Sequence, residues 1–243
     1  MRIFNELVVR RRVLEINDFA TMLLFVFGLV TLSVLGTNCD RNALLYRVDI
    51  SLPPKEGRDE ASDILSIKDT VNGLTNISVL FSFKELGNPR VVLVLDVEKA
   101  CRWNQLTQYL SSSGYEYSSR TLYHCSDYAK ELGVDIPKDM WETSFGDEEL
   151  MIEQKTFPFN DLSTVDYNLK MRWKFEKDIG ILKSGHKAAC FRTLAEYPVQ
   201  LMYFGPIKPS GIEAIEEVVH APGNFETEIT QIQNLDYYTG QCN

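Results

Sequence analysis

Residues that usually carry catalysis are scarce in this sequence. Its 243 residues include three histidines and five cysteines, and the cysteine spacings match neither a zinc site nor a Cys-x-x-Cys motif. The sequence also lacks a glycine-rich phosphate loop, a Ser-His-Asp order and a cluster of metal ligands. The sequence therefore indicates no particular reaction, and it predicts neither a metal nor a cofactor.

Positive charge is also in short supply. There are 25 Lys and Arg residues against 34 Asp and Glu residues, which gives a net charge of -9. Because phosphate backbones are bound by clustered Lys and Arg, this balance argues against a nucleic-acid partner. The hydrophobic content of 44% and charged content of 24% are those of an ordinary globular protein that can bury a sizeable core.

Charge is missing altogether from residues 19–36, the run FATMLLFVFGLVTLSVLG, which follows Arg10, Arg11 and Arg12. As a helix it would be about 27 Å long, barely enough to cross a bilayer. One interpretation is a signal peptide cleaved near residues 34–36, with Met22 as an alternative start in place of Met1. The other is a retained signal-anchor, with the arginines cytoplasmic and residues 40–243 luminal or extracellular. Both place the protein in the secretory pathway, secreted or membrane-anchored; a buried soluble helix is a third alternative.

Two further features bear on that compartment. Cys39 and Cys242 flank the region expected to fold and are candidates for a disulfide that joins its ends. Asn76-Ile77-Ser78 is a sequon for N-glycosylation, which has meaning only if the chain is secreted. We treat residues 1–39 as a leader outside the folded region.

The pattern of residues 40–122 predicts one ferredoxin-like unit. Residues 44–52 alternate as a half-buried strand, and a helix capped by Asp59 follows. Two strands, 77–86 and 90–95, are joined by a Gly-Asn-Pro turn, and a second helix leads to a last strand at 115–122. This order of strand, helix, strand, strand, helix, strand is that of the split βαβ fold, a four-stranded antiparallel sheet with both helices on one face.

A weaker copy follows after a connector at residues 123–149. The hairpin at 77–97 has a weakly similar counterpart 109 residues later, at 186–206. For residues 150–243 we expect a strand at 151–159, a helix at 161–178 that ends at Gly180, a hairpin, a helix capped by Ser210 and a closing strand at 225–232. Leu169, Met171, Trp173 and Phe175 alternate as in a strand, but we favour the helix because the glycine and proline positions of the two halves then agree.

Two such units can pack their uncovered sheet faces together. The sequence thus predicts an α+β fold in which two tandem ferredoxin-like βαββαβ repeats form an intramolecular α/β barrel, preceded by an N-terminal hydrophobic helix. The inward residues would be Leu45, Arg47, Asp49 and Ser51 on the first strand, and Ser78, Leu80, Ser82 and Lys84 on the second. Polar groups on an enclosed face need partners or a use. Arg47 and Asp49 either pair with each other, or Arg47 or Lys84 holds an anionic ligand while Asp49 orients it or acts as a base.

The second half carries a resemblance to a known family. Its features are a helix ending in Gly180-Ile181-Leu182, the sequence Phe191-Arg192-Thr193-Leu194-Ala195-Glu196-Tyr197, an apolar strand, a Ser210-capped helix and a closing strand. In these it resembles the muconolactone-isomerase-like and YCII-like members of the dimeric α/β-barrel superfamily. The resemblance implies a barrel, and many members act on small lactones, aromatic acids or polyketide-like molecules without a cofactor.

Three functions are consistent with these observations. In an enzyme, His186, near Arg192, Glu196 and Tyr197, or Asp49 would serve as the base in a cofactor-free proton transfer. Arg47 or Arg192 would then hold the developing enolate or the carboxylate of a small organic acid or lactone. In a carrier or sensor the same pocket would bind without chemistry, and in a protein-interaction domain the paired sheets would be packed solid. The oligomeric state stays open.

Overall fold

The computed structural model describes residues 44–146, 149–157, 162–206 and 226–241. In the first half, four strands and two helices alternate as β1 (Leu44–Ser51), α1 (Glu60–Asn72), β2 (Ile77–Glu85), β3 (Arg90–Val97), α2 (Trp103–Ser112) and β4 (Glu116–His124). Asp59 caps α1 as predicted, because its side chain accepts a hydrogen bond from the Ala61 N–H at 3.2 Å. The element order predicted for this half is confirmed.

The second half begins with a short helix, α3 (Cys125–Glu131), in the predicted connector. It continues with β5 (Leu150–Phe157), α4 (Thr164–Lys183), β6 (Ala189–Thr193), β7 (Val199–Pro206), β8 (Glu226–Asn234) and α5 (Leu235–Gln241). The Ser210-capped helix lies outside the described residues. Likewise outside them are the hydrophobic run at 19–36, Cys39 and Cys242. Within the part of the chain that the structure describes, none of the helices combines the length and the apolar character that a membrane span needs.

The eight strands form one closed antiparallel barrel. Its strand order is β1-β3-β2-β8-β5-β7-β6-β4. This order joins two four-stranded sheets, β4-β1-β3-β2 and β8-β5-β7-β6. In each sheet the strands of that half lie in the order fourth, first, third, second. The seams are β2 with β8, where Phe83 pairs with Asn234, and β4 with β6, where Leu122 pairs with Thr193. Closure leaves no strand edge unpaired, so both sheets bury their inner faces against each other.

Helices cover the outer faces. Alternate residues of β1 and β3, such as Val48, Ile50 and Leu93, pack against Ile64 and Ile67 of α1. The second sheet packs against α4, which buries Met171 and Phe175 one helical turn apart. This spacing explains why the segment is a helix despite its alternating pattern, since Leu169 and Trp173 fall on the exposed side. The helix continues past the predicted end at Gly180 to Lys183.

A β-bulge in β2 changes which side chains of this strand face the barrel interior. Val79 pairs with Leu95 and Phe81 with Val94, so Leu80 is an extra residue in the ladder. After the bulge the phase of the strand is reversed, and Phe81 and Phe83 face the barrel interior. The prediction that Ser82 and Lys84 face inward is therefore wrong. On β1, in contrast, the predicted inward facing of Leu45, Arg47 and Asp49 is confirmed.

A disulfide joins the connector to the second sheet. Cys125, at the start of α3, is bonded to Cys190 of β6, with 5.4 Å between the Cα atoms. Both cysteines are fully buried beside Tyr128 and Ala129 of α3. The segment predicted as a connector is thus part of the second core. Cys101 is exposed and is the free cysteine of the described part of the chain.

Candidate functional site

The barrel interior has an apolar end and a polar end. Towards the apolar end, Leu45 and Leu122 lie against a cluster of aromatic rings with centroids 5.4–6.3 Å apart: Phe81, Phe83, Phe145, Phe191 and Phe204. Further along the same two strands, Ser51 and Glu116 border a cavity of about 380 Å³. Because an eight-stranded barrel is just wide enough for side chains to fill it, such a cavity means that the polar end is left open.

Arg47 separates the two ends. It lies on β1, and its guanidinium reaches across the barrel to Gln154 of β5 (3.2 Å) and the Sδ of Met202 on β7 (3.1 Å). Its Nε and Nη2 donate to Asp49 Oδ1 at 3.0 and 2.7 Å. The side chains of Arg47 and Asp49 are only 11% and 13% exposed. The two residues therefore pair with each other, as one of the two predicted alternatives held, while both still line the cavity.

A second arginine stands directly opposite Arg47 on the neighbouring strand. Arg120 of β4 is its cross-strand partner, and like charges in that position repel unless something compensates them. Arg120 donates to Gln200 Oε1 at 2.7 Å and lies 3.8 Å from a Glu196 carboxylate oxygen. Its side chain is 34% exposed. Arg120 is thus less fully satisfied than Arg47, and it lines the cavity.

Four further charged groups line the cavity. Glu85 is bound on both oxygens, by Asn88 at 2.5 Å and by Arg90 at 3.1 Å. Glu116 and Glu228 also line the cavity, together with Ser118 and Thr230. None of these residues was predicted as a site residue from the sequence. A signal for them existed, since Glu116, Ser118 and Arg120 alternate along β4, as do Glu228 and Thr230 along β8, but the hydrophobic pattern in both strands is weak.

Several predicted site residues lie outside this cavity. Lys84 faces α1 and α5, with its Nζ 3.3 Å from Glu60 and 5.6 Å from the centre of the Tyr238 ring. Arg192 points to the outer side of the second sheet, where its guanidinium lies 4.2 Å from the centre of the Tyr128 ring. The structure therefore brings Arg47 and Asp49 together but separates them from Lys84 and Arg192.

The remaining predicted residues lie in loops. His186 is exposed after α4 and shares a hydrogen bond of 2.9 Å with the Ser184 hydroxyl. Tyr197 is 74% exposed, whereas its neighbour Glu196 approaches the cavity through Arg120. A base at His186 would have no route to a molecule held beside Arg47. Asn76 of the sequon is half-buried in the turn before β2, with a positive φ of 62°.

A second polar cluster is buried on the outer side of β5 and β7, beneath α4. Tyr203 donates to Asp178 at 2.9 Å, Lys174 is bonded to the same carboxylate, and Lys155 pairs with Glu153 at 2.9 Å. Burial lowers the pKa of Lys155, with a further contribution from nearby Lys174. Burial also raises the pKa of Tyr203 well above its usual value, and Asp178 adds to the effect. These groups thus pair with one another by charge and hydrogen bonding beneath α4.

Metal binding finds no support in the described residues, where no group of three or more His, Cys, Asp or Glu side chains is placed to hold an ion. What the polar end offers instead is a set of hydrogen-bond donors and acceptors around a space for a small molecule. Such concave sites with a few convergent polar groups are the usual form of ligand pockets.

Comparison with known proteins gives similarity in structure alone. No protein-family model matches the chain, and no curated protein matches its sequence. The fold is similar to that of a candidate chlorite dismutase, TA0507, with a TM-score of 0.53 and 10% identity over 82% of this chain and 100% of the other. It is also similar to a variant of chlorite dismutase from Candidatus Nitrospira defluvii, with a TM-score of 0.52 and 11% identity over 81% of this chain and 94% of the other.

At these identities the similarity concerns the fold. The neighbours are chlorite dismutase-like proteins with an α+β barrel, which agrees with the predicted resemblance in fold. They do not single out the muconolactone-isomerase-like or YCII-like families. The chain has the α+β barrel fold of chlorite dismutase-like proteins.

Proposed function

We propose that the protein binds a small organic acid in the polar end of its barrel. The observation that carries this proposal is Arg120, an incompletely satisfied arginine opposite the more fully hydrogen-bonded Arg47 in a cavity of about 380 Å³. A ligand carboxylate on Arg120 would relieve the repulsion between the two guanidinium groups, because Arg recognises carboxylates with two parallel hydrogen bonds. Arg47, held by Asp49 and Gln154, would form the rigid floor of the site.

Binding is better supported than catalysis. Of the two candidate bases, His186 lies outside the cavity, so a proton transfer of the isomerase type would have to use Asp49. The Oδ1 of Asp49 is engaged by Arg47, while its other oxygen makes no hydrogen bond in the described structure. A binding protein needs nothing further from the site, which makes a carrier or sensor the simplest function. A protein-interaction domain with a solid interior is less consistent with an open polar end.

The test is thermal unfolding of the full chain with a panel of small carboxylates and lactones. A ligand at a hundred times its dissociation constant adds about 2.7 kcal/mol to the stability of the folded state. Arg120→Gln should weaken carboxylate binding about tenfold or more, since a charge-assisted hydrogen bond is worth about 1.5–3 kcal/mol. The matched control is Arg172→Gln on the surface of α4, where Arg172 pairs with Glu176; its effect should be negligible. Absence of binding across the panel, or equal effects of the two variants, would contradict the proposal.

We also propose that the folded domain lies in the secretory pathway. The buried disulfide between Cys125 and Cys190 supports this, because disulfides persist chiefly in oxidising compartments. Whether the segment at 19–36 is cleaved or kept as an anchor, Asn76 would then be available to glycosyltransferases. Removal of N-glycans should increase the mobility of the full chain on a gel, and Asn76→Gln should abolish that change. A reduced Cys125–Cys190 pair in protein isolated from cells with thiols blocked would contradict the location.

A further inference from the structure

We infer that the ligand of the barrel cavity is a zwitterion, with a carboxylate at one end and a protonated amine at the other. This inference rests on the function proposed above, because it concerns the ligand of the same site. It follows from the way the charges of the cavity are paired. Asp49 is bound by Arg47, and Glu85 is bound by Arg90 and Asn88.

Two carboxylates of the cavity are left over. Glu116 and Glu228 line it, and the salt bridges of the described residues give neither of them a cationic partner. Around the cavity, three arginines face four carboxylates. A purely anionic ligand would therefore enter a space that already has an excess of negative charge, which costs binding energy.

The carboxylate of Glu228 lies across the cavity from Arg120, so it can bind the far end of a ligand that Arg120 holds. Glu228 lies on β8, and Arg120 lies on β4; the strand order places these two strands four steps apart in either direction around the barrel. The two residues thus stand on opposite walls of the cavity. Gln154, the cross-strand partner of Glu228, accepts the hydrogen bond from Arg47, so the wall that carries Glu228 is tied to the floor of the site.

A molecule held by its carboxylate on Arg120 would direct its far end towards Glu228. An amine at that end would pair with the exposed carboxylate of Glu228, whereas a second carboxylate would be repelled and a methyl group would gain no charge pair. The ligand class is therefore a small amino acid whose amine and carboxylate are separated by a short chain. Glu116 lies on the same strand as Arg120 and cannot serve this role from the opposite wall.

The experiment uses the full chain and isothermal titration with matched probes. The probes are straight-chain ω-amino acids from γ-aminobutyrate to ε-aminocaproate, each with the fatty acid and the alkylamine of the same length. We expect one ω-amino acid to bind at least about tenfold more tightly than its matched fatty acid, the effect of about 1.4 kcal/mol for one added charge pair. Glu228→Gln should remove this preference while leaving the affinity for the fatty acid unchanged or improved. Glu116→Gln is the matched control and should keep the preference.

The outcomes separate this inference from the function on which it rests. If fatty acids bind as tightly as the ω-amino acids of the same length, the zwitterion is wrong although an organic-acid site stands. Equal loss of the preference in Glu228→Gln and Glu116→Gln would overturn the placement of the amine across the cavity. If no probe binds and Arg120→Gln changes nothing, both the inference and the proposed function fail.

Discussion

At the scale of single residues, Arg47 joins the two halves of the barrel. It belongs to the first sheet, but its guanidinium contacts Gln154 and Met202 of the second. Its charge is balanced by Asp49 in surroundings that exclude most water. Removing one member of such a pair leaves an uncompensated charge, which costs more than the pair itself contributes. The first role of the Arg47–Asp49 pair is thus to stabilise the structure of the site.

This arrangement predicts strong coupling between Arg47 and Asp49. Arg47→Met and Asp49→Asn should each destabilise the protein by about 2–3 kcal/mol, and the double variant should lose about 1–2 kcal/mol less than the sum. Urea unfolding of the four proteins measures this. The control is Lys138 with Asp127, an ion pair of similar length (2.9 Å) whose side chains are 65% and 37% exposed. Its coupling should stay below about 0.5 kcal/mol; a coupling as small for Arg47 and Asp49 would contradict their role.

At the scale of elements, the bulge at Leu80 decides which side chains enter the barrel. A regular strand would turn Phe81 and Phe83 towards the helices and Lys84 inward. The extra residue reverses the phase, so that both phenylalanines join the aromatic core. Leu80 itself is 37% exposed and contributes little packing.

Two single-residue deletions in β2 should therefore have opposite outcomes. Without Leu80 the ladder becomes regular, with Val79 still outside and Phe81 still inside, so we expect a folded protein that loses about 1 kcal/mol. Without Ser82, Phe83 follows Phe81 directly and must leave the interior, and its loss from the core costs about 3–5 kcal/mol. Circular dichroism and urea unfolding of the two deletions test this. A folded Ser82 deletion beside an unfolded Leu80 deletion would show that the register is assigned wrongly.

The same element shows how far the sequence could predict the fold. Strict alternation in β1 gave the correct inward set because that strand is regular, and the matching glycine and proline positions of the two halves identified α4 despite its alternating pattern. The facing of Ser82 and Lys84 could not be predicted, because a bulge is a backbone irregularity without a residue signature. Glu116, Arg120 and Glu228 were missed because the hydrophobic pattern of β4 and β8 is weak, and because the cavity arises from strands far apart in the chain that only the barrel order places together.

At the scale of the whole molecule, the raised pKa values of five tyrosines reflect how closely the fold packs around them. Burial raises the pKa of Tyr115, Tyr128 and Tyr203, and it raises the pKa of Tyr167 to about 12. The hydrogen bond to Glu131 is the main cause that raises the pKa of Tyr123 to about 12. These five belong to both halves of the protein, and the sequence contains eleven tyrosines in all.

Alkaline pH should accordingly destabilise the protein. Unfolded tyrosines ionise at about pH 10, whereas these five retain their protons in the folded state, so stability is fully present below about pH 10 and declines above it. Following the phenolate absorbance as pH rises should show these five tyrosines ionising late, together with the loss of structure. In concentrated urea all eleven should ionise together. Simultaneous ionisation in the native protein would contradict the burial of these rings.

The central claim is that the polar end of the barrel is a binding cavity, and adjacent serines of β4 offer the most direct test. Both serines are exposed, but Ser118 lines the cavity, whereas Ser119 pairs with Val48 on the outward-facing side of the sheet. The measurement is the rise in unfolding temperature of the full chain with each ω-amino acid from γ-aminobutyrate to ε-aminocaproate and with its matched fatty acid. We expect Ser118→Trp, which fills the cavity, to remain folded and lose the rise, and Ser119→Trp to keep it. Retention of the full rise in Ser118→Trp, or no rise in the unaltered protein, would contradict a binding site in the barrel.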